Sequence, residues 1–99
     1  MIKGEIKNII LKNQEVLKKY RVKSIALFGS YVRNEQKEGS DIDFLVDFGE
    51  GVTLFDIVEL QDVLTDLLDK KVSIVSRKGL SKYVAPYILK EVETIGERL

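Results

Sequence analysis

The sequence has no cysteine, no histidine and no tryptophan, and only one proline. Without cysteine there is no disulfide, no thiol nucleophile and no thiolate metal site. Without histidine the commonest general base and the commonest transition-metal ligand are gone. Any catalysis therefore rests on carboxylates, hydroxyls, Lys, Arg or backbone groups. Carboxylates without His or Cys suit hard cations such as Mg²⁺, Mn²⁺ or Ca²⁺. Net charge is missing as well: 16 Lys+Arg cancel 16 Asp+Glu. Nothing in that balance draws the chain to nucleic acid or to an anionic membrane. No apolar run approaches the ~20 residues that cross a bilayer. The first residues carry scattered charges and no signal-peptide core. The expectation is a soluble cytoplasmic protein, a single domain over residues 1–99. Its 44% hydrophobic and 32% charged residues are an ordinary globular balance, so the chain is expected to fold.

Apolar residues at Ile2, Ile6, Ile9, Ile10, Val16, Leu17 and Tyr20 recur every three to four positions, with a polar gap at 12–15. This predicts an amphipathic helix over 2–20. Residues 22–28 (VKSIALF) grow steadily more apolar, which predicts a strand with a buried end. Gly29-Ser30 interrupts it, and Ser30 is a candidate cap for a short helix over 30–37. Residues 41–48 (DIDFLVDF) alternate. Asp41, Asp43, Leu45 and Asp47 share one face, and Ile42, Phe44, Val46 and Phe48 share the other. Thr53 and Asp56 form a capping box ahead of a helical stripe of Leu54, Ile57, Val58, Leu64, Leu67 and Leu68. Residues 72–75 (VSIV) are a short strand. A last helix follows, with Pro86 in its first turn and Ile88, Leu89, Val92 and Ile95 on its apolar side. The element order is α-β-α-β-α-β-α, a small α/β domain with a mixed sheet and helices packed on it.

Charge is segregated along the chain. Residues 41–69 hold nine acids and no Lys or Arg, whereas 70–90 hold six Lys/Arg and no acid. Either each helix has a solvated face, or a negative cation site lies beside a positive rim for phosphates.

The informative stretch is GSYVRNEQKEGSDIDFLV, residues 29–46. Gly29 lets the backbone turn tightly after a buried strand. Ser30 at a helix start would present N–H groups to a phosphate. Asp41 and Asp43, on one strand face, lie roughly 6–7 Å apart at the backbone. Carboxylates that close repel each other, and a metal ion between them removes that penalty. Two carboxylates plus triphosphate oxygens make a normal Mg²⁺ site. Arg33, one turn beyond Ser30, offers a fork of donors.

The pattern Gly29-Ser30-x10-Asp41-x-Asp43 resembles the G-S-x(n)-D-x-D signature of the polymerase β-like nucleotidyltransferase superfamily. FGSYVR at 28–33, GSDIDFLVDF at 39–48, the TLFD helix start and KKVSIV at 70–75 resemble its minimal nucleotidyltransferases, the MNT proteins. The likeness runs from about residue 5 to about 95. It implies a single palm-like nucleotidyltransferase domain with the nucleotide on Gly29, Ser30, Arg33 and Ser40. It implies catalytic metal ligation by Asp41 and Asp43, with two Mg²⁺ ions (or Mn²⁺) and ATP as substrate. It also implies a HEPN-type toxin as protein partner, onto whose Tyr some members transfer AMP.

One position departs from the pattern. The third strand of the family reads K-V-D-[LIV]-[VI], where the aspartate completes the metal site and acts as base. Here Ser73 stands in its place. A serine hydroxyl carries no charge and takes no proton near pH 7. Asp47 or Asp69 could substitute, although about 13 Å of strand separates Asp41 from Asp47. Alternatively the chain works by contact alone, masking its partner. Tyr83, Tyr87, Ile88 and Val92 either close the core or face that partner. Nucleic-acid binding through Lys70, Lys71, Arg77, Lys78 and Lys82 is disfavoured by zero net charge. An open edge strand in so small a sheet leaves a homo-oligomer available.

Overall fold

The computed structural model describes residues 1–99. The alternating and apolar segments read above become β1 (Val22–Phe28), β2 (Ile42–Phe48) and β3 (Val72–Ser76), and a fourth strand, β4, spans Glu93–Gly96. They form one mixed sheet in the order β3-β2-β1-β4. β2 runs antiparallel to β1 and parallel to β3, and β4 lies antiparallel to β1. Helices α1 (Lys3–Lys12), α2 (Gln14–Lys19), α3 (Leu54–Leu68) and α4 (Ala85–Glu91) complete the chain. A 3₁₀ turn at Arg77–Gly79 follows β3.

The cross-strand pairs sort the two sheet faces. Ile25 opposes Val46 and Leu27 opposes Phe44. With Ile42 and Val72 they meet Ile6, Ile10 and Leu17 of α1 and α2 and Leu60, Leu64 and Leu68 of α3 in one buried cluster. The other face carries Ala26 against Leu45, Phe28 against Asp43, and Asp43 against Ser73. The helical layer thus leaves the aspartate face of β2 to the segment after β3.

Several expectations need correction. The 2–20 helix is two helices, broken at Asn13 (φ −120°, ψ 37°), inside the polar gap at 12–15. There the Asn13 side chain turns back to the Ile9 carbonyl at 2.7 Å. The helix expected over 30–37 is a single turn. Glu35 N–H reaches Ser30 O (2.9 Å) and Asn34 N–H reaches Tyr31 O (3.4 Å), with Asn34 left-handed at φ 57°. That pattern closes a helix instead of extending it. The last helix ends at Glu91, and Ile95, assigned to its apolar side, belongs to β4. The stripe on α3 is rotated from the expected one. Its buried line is Leu60, Leu64 and Leu68, whereas Leu54 is 74% and Val58 50% exposed. The capping box is present as read: Asp56 N–H donates to Thr53 Oγ1 (3.3 Å) and Thr53 N–H to Asp56 Oδ2 (2.9 Å).

Glu93 binds both Lys3 (2.6 Å) and Lys7 (2.9 Å), fastening α1 to β4. Those lysines pull the Glu93 carboxyl below its usual value, and the Thr53 donors do the same for Asp56. A depressed carboxylate adds stability that is complete above its ordinary value and lost as pH falls through the lower folded one. The melting temperature is therefore expected to fall with acid below about pH 4.5. In Glu93→Gln it falls less steeply, measured by circular dichroism at a series of pH values.

Candidate active site

Gly29 ends β1 with φ +80°, a left-handed conformation that favours glycine. The residue is buried. A Cβ there would overlap Asp43 Oδ2, so glycine lets the turn lie directly against the Asp43 carboxylate. Gly29→Ala adds left-handed strain of about 1–2 kcal/mol on top of that overlap. The expected result is a melting temperature lower by at least about 4 °C, read by thermal denaturation.

Asp43 is half buried in β2, and Asp41 lies just before the strand, also half buried. Burial pushes the Asp43 carboxyl above its usual value, the Asp41 charge adds to this, Arg33 opposes it, and Glu91 raises it again. Asp43 is thus a carboxylate whose charge is held under strain by its surroundings. A cation beside Asp41 and Asp43 relieves that strain.

Ser73 pairs with Asp43 across β2 and β3, on the same sheet face. It brings a hydroxyl and no charge to that position. Neither proposed substitute joins it. Asp47 pairs instead with Ser24, further along the strand. Asp69 caps α3 in a left-handed conformation. Neither is among the charges that act on Asp43.

Arg33 is not free. Its Nη1 donates to Glu91 Oε2 (2.8 Å) and its Nε to Glu35 Oε2 (3.0 Å). Ser40 turns its hydroxyl to the Lys37 amide (2.9 Å) and so closes the loop leading into Asp41. Ser30 is half buried in the single turn that starts at Gly29.

The residue that sequence reasoning missed is Glu91. From the end of α4 its Oε1 accepts from Gly29 N–H (3.1 Å), while its Oε2 binds Arg33. One carboxylate therefore bridges the turn and the guanidinium. No local pattern points to it, because Lys90-Glu91 reads as the polar face of a helix, 62 residues from Gly29. Further along the sheet lies a small pocket lined by Ala26, Leu45, Leu89 and Val92, with Arg77 and Glu97 in its wall and neither aspartate among its lining.

Residues 8–95 match the family model described as a nucleotidyltransferase domain. The chain belongs to the nucleotidyltransferase domain family. A Methanocaldococcus jannaschii relative that carries the provisional name protein adenylyltransferase MJ1217 is 48% identical over 91 residues, 91% of this chain and 90% of that protein. The protein adenylyltransferase MntA of Thermococcus cleftensis is 40% identical over 89 residues, 89% of this chain and 90% of that one. Among solved structures, a toxin–antitoxin structure with AMP-PNP has a TM-score of 0.78 at 26% identity, over 92% of this chain and 73% of that chain. These findings agree with the resemblance to minimal nucleotidyltransferases and with the α+β fold. No helix of the nucleotidyltransferase domain is long and apolar enough to cross a membrane.

Proposed function

We propose that this chain is a nucleotidyltransferase of the antitoxin type that moves AMP from Mg²⁺-ATP to a tyrosine hydroxyl of a HEPN-type toxin partner. The observation that carries this reading is identity of 40–48% along about nine tenths of both chains to relatives named as protein adenylyltransferases. The toxin–antitoxin structural neighbour supports a toxin as the partner. Tyr83 and Tyr87, 74% and 77% exposed, are outside the core and available to such a partner.

Asp41 and Asp43 would hold the divalent cation, whose charge offsets that of the triphosphate when it is bound. The Gly29-Ser30 turn and Arg33 would hold the phosphates. The acceptor oxygen bonds to the α-phosphorus, the bond to the bridging oxygen breaks, and pyrophosphate leaves with its electrons. The hydroxyl proton passes to water, since Ser73 has no charge with which to take it. The work of the chain is then mainly positioning and charge neutralisation.

Ser73 favours a second reading, in which the chain neutralises its partner by contact with transfer impaired. Intact-mass spectrometry of a HEPN-type toxin, incubated with this chain, Mg²⁺ and ATP, separates the two. One or more added AMP units support transfer. A stable complex with no added mass supports contact alone.

A further inference from the structure

The Gly29 amide and the Arg33 guanidinium converge on one anion, and that anion is the chain's own Glu91. Its two oxygens are divided between the two donors, at 3.1 and 2.8 Å. A carboxylate so placed occupies the position that a phosphate oxygen bound to the same donors would take. The surrounding charge makes the competition sharper. Glu35 and Glu91 both bind the one guanidinium of Arg33, which also acts on Asp43, where the charges of Asp41 and Glu91 oppose it.

The element that delivers Glu91 is lightly held. α4 has no buried residue, and no side chain between Ser73 and Leu99 is fully buried. The Glu91 side chain itself is 28% exposed and Arg33 46%. Withdrawing Glu91 therefore opens no core, and local release of so shallow a segment is inexpensive.

We infer that Glu91 sets the nucleotide affinity of the site by standing in for phosphate: in the free chain it holds the Gly29 amide and Arg33, and the incoming triphosphate must displace it. This rests on the nucleotide reading above and goes beyond it by naming the group that competes. Glu91 acts as a positioning residue. It keeps the donors aimed while the site is empty and gives them up on binding.

The test is isothermal titration calorimetry with AMP-PNP at saturating Mg²⁺, on the full chain, Glu91→Gln, Arg33→Gln and the double variant. The glutamine oxygen can still accept from Gly29, while its amide nitrogen cannot accept from Arg33. Glu91→Gln is expected to bind about fivefold more tightly, the order of one half-exposed ion pair. The gain should vanish when Arg33 is also Gln, a dependence that a merely structural role would not produce. Unchanged or weaker binding in Glu91→Gln overturns the inference while leaving the nucleotide reading intact. No binding by any form, the unchanged chain included, overturns both. Should the variant fail to fold, the unsubstituted protein provides the readout through NMR. The Glu91 side-chain carboxylate and the Gly29 amide are expected to shift together on saturation with AMP-PNP, and a Glu91 signal that stays in place contradicts displacement.

Discussion

Replacing Asp41 and Asp43 together by Asn is expected to lower AMP transfer by about 10³-fold or more, since each substitution removes a carboxylate that would hold the cation against the reacting phosphates. The same change is expected to raise the melting temperature at neutral pH. The two effects have one cause. Burial and the Asp41 charge push the Asp43 carboxyl up, so its charged form opposes folding. For an acid raised in this way, the loss of stability is complete above the folded value and absent below the ordinary one. The gain from Asn should therefore be present at pH 7 and disappear as the solution is acidified through the Asp43 transition. A scan of melting temperature against pH, for parent and variant, measures it. A variant that melts lower at pH 7 would mean that the aspartates support the fold and are not strained by it.

Ser73→Asp should move activity in the opposite direction, with a gain of about 10²-fold, the lower end of what a positioned base contributes. The register places residue 73 directly beside Asp43 on the same face, so the new carboxylate arrives next to the aspartate pair. Neither Asp47 nor Asp69 fills that role, and both oxygens of Glu91 are occupied by Gly29 and Arg33. The added acid also brings a third negative charge to a strained pair. The variant is thus expected to melt lower than the parent without divalent cation, and to recover more of its stability when Mg²⁺ is added. Initial rates with the partner as acceptor, together with melts with and without Mg²⁺, check both halves. Equal rates in the two forms would show that the third acid is dispensable in this chain.

What the sequence disclosed divides along a physical line. Features set by a few adjacent residues were legible: the alternation of β2 that puts Asp41, Asp43 and Asp47 apart from Ile42, Phe44 and Val46, the Thr53–Asp56 box, and the turn at Gly29. Ser73 was singled out only through the resemblance to the family's third strand, and the parallel register that sets it beside Asp43 comes from the structure. Features set by distant contacts were not legible. β4 is four residues of middling propensity, and it is a strand because β1 offers it a free edge. The turn after Gly29 stops early because Asn34 goes left-handed and closes it, although the composition of 30–37 permits more helix. On α3, counting apolar residues overstated the core. Leu54, Phe55 and Val58 lie on a side that no other element covers. Glu91 is the clearest case. Its role comes from a fold that returns the C-terminal segment to the Gly29 turn.

On the proposed reading, the face shared by Gly29, Asp41 and Asp43 transfers the nucleotidyl part of ATP to a protein hydroxyl. Incubating the chain and its partner with Mg²⁺ and ATP labelled either at the α- or at the γ-phosphate tests it most directly. Stable label on the partner is expected from the α-position and none from the γ-position, with the α-signal absent in Asp41→Asn/Asp43→Asn. Label from the γ-position, or α-label that survives the double substitution, would contradict it.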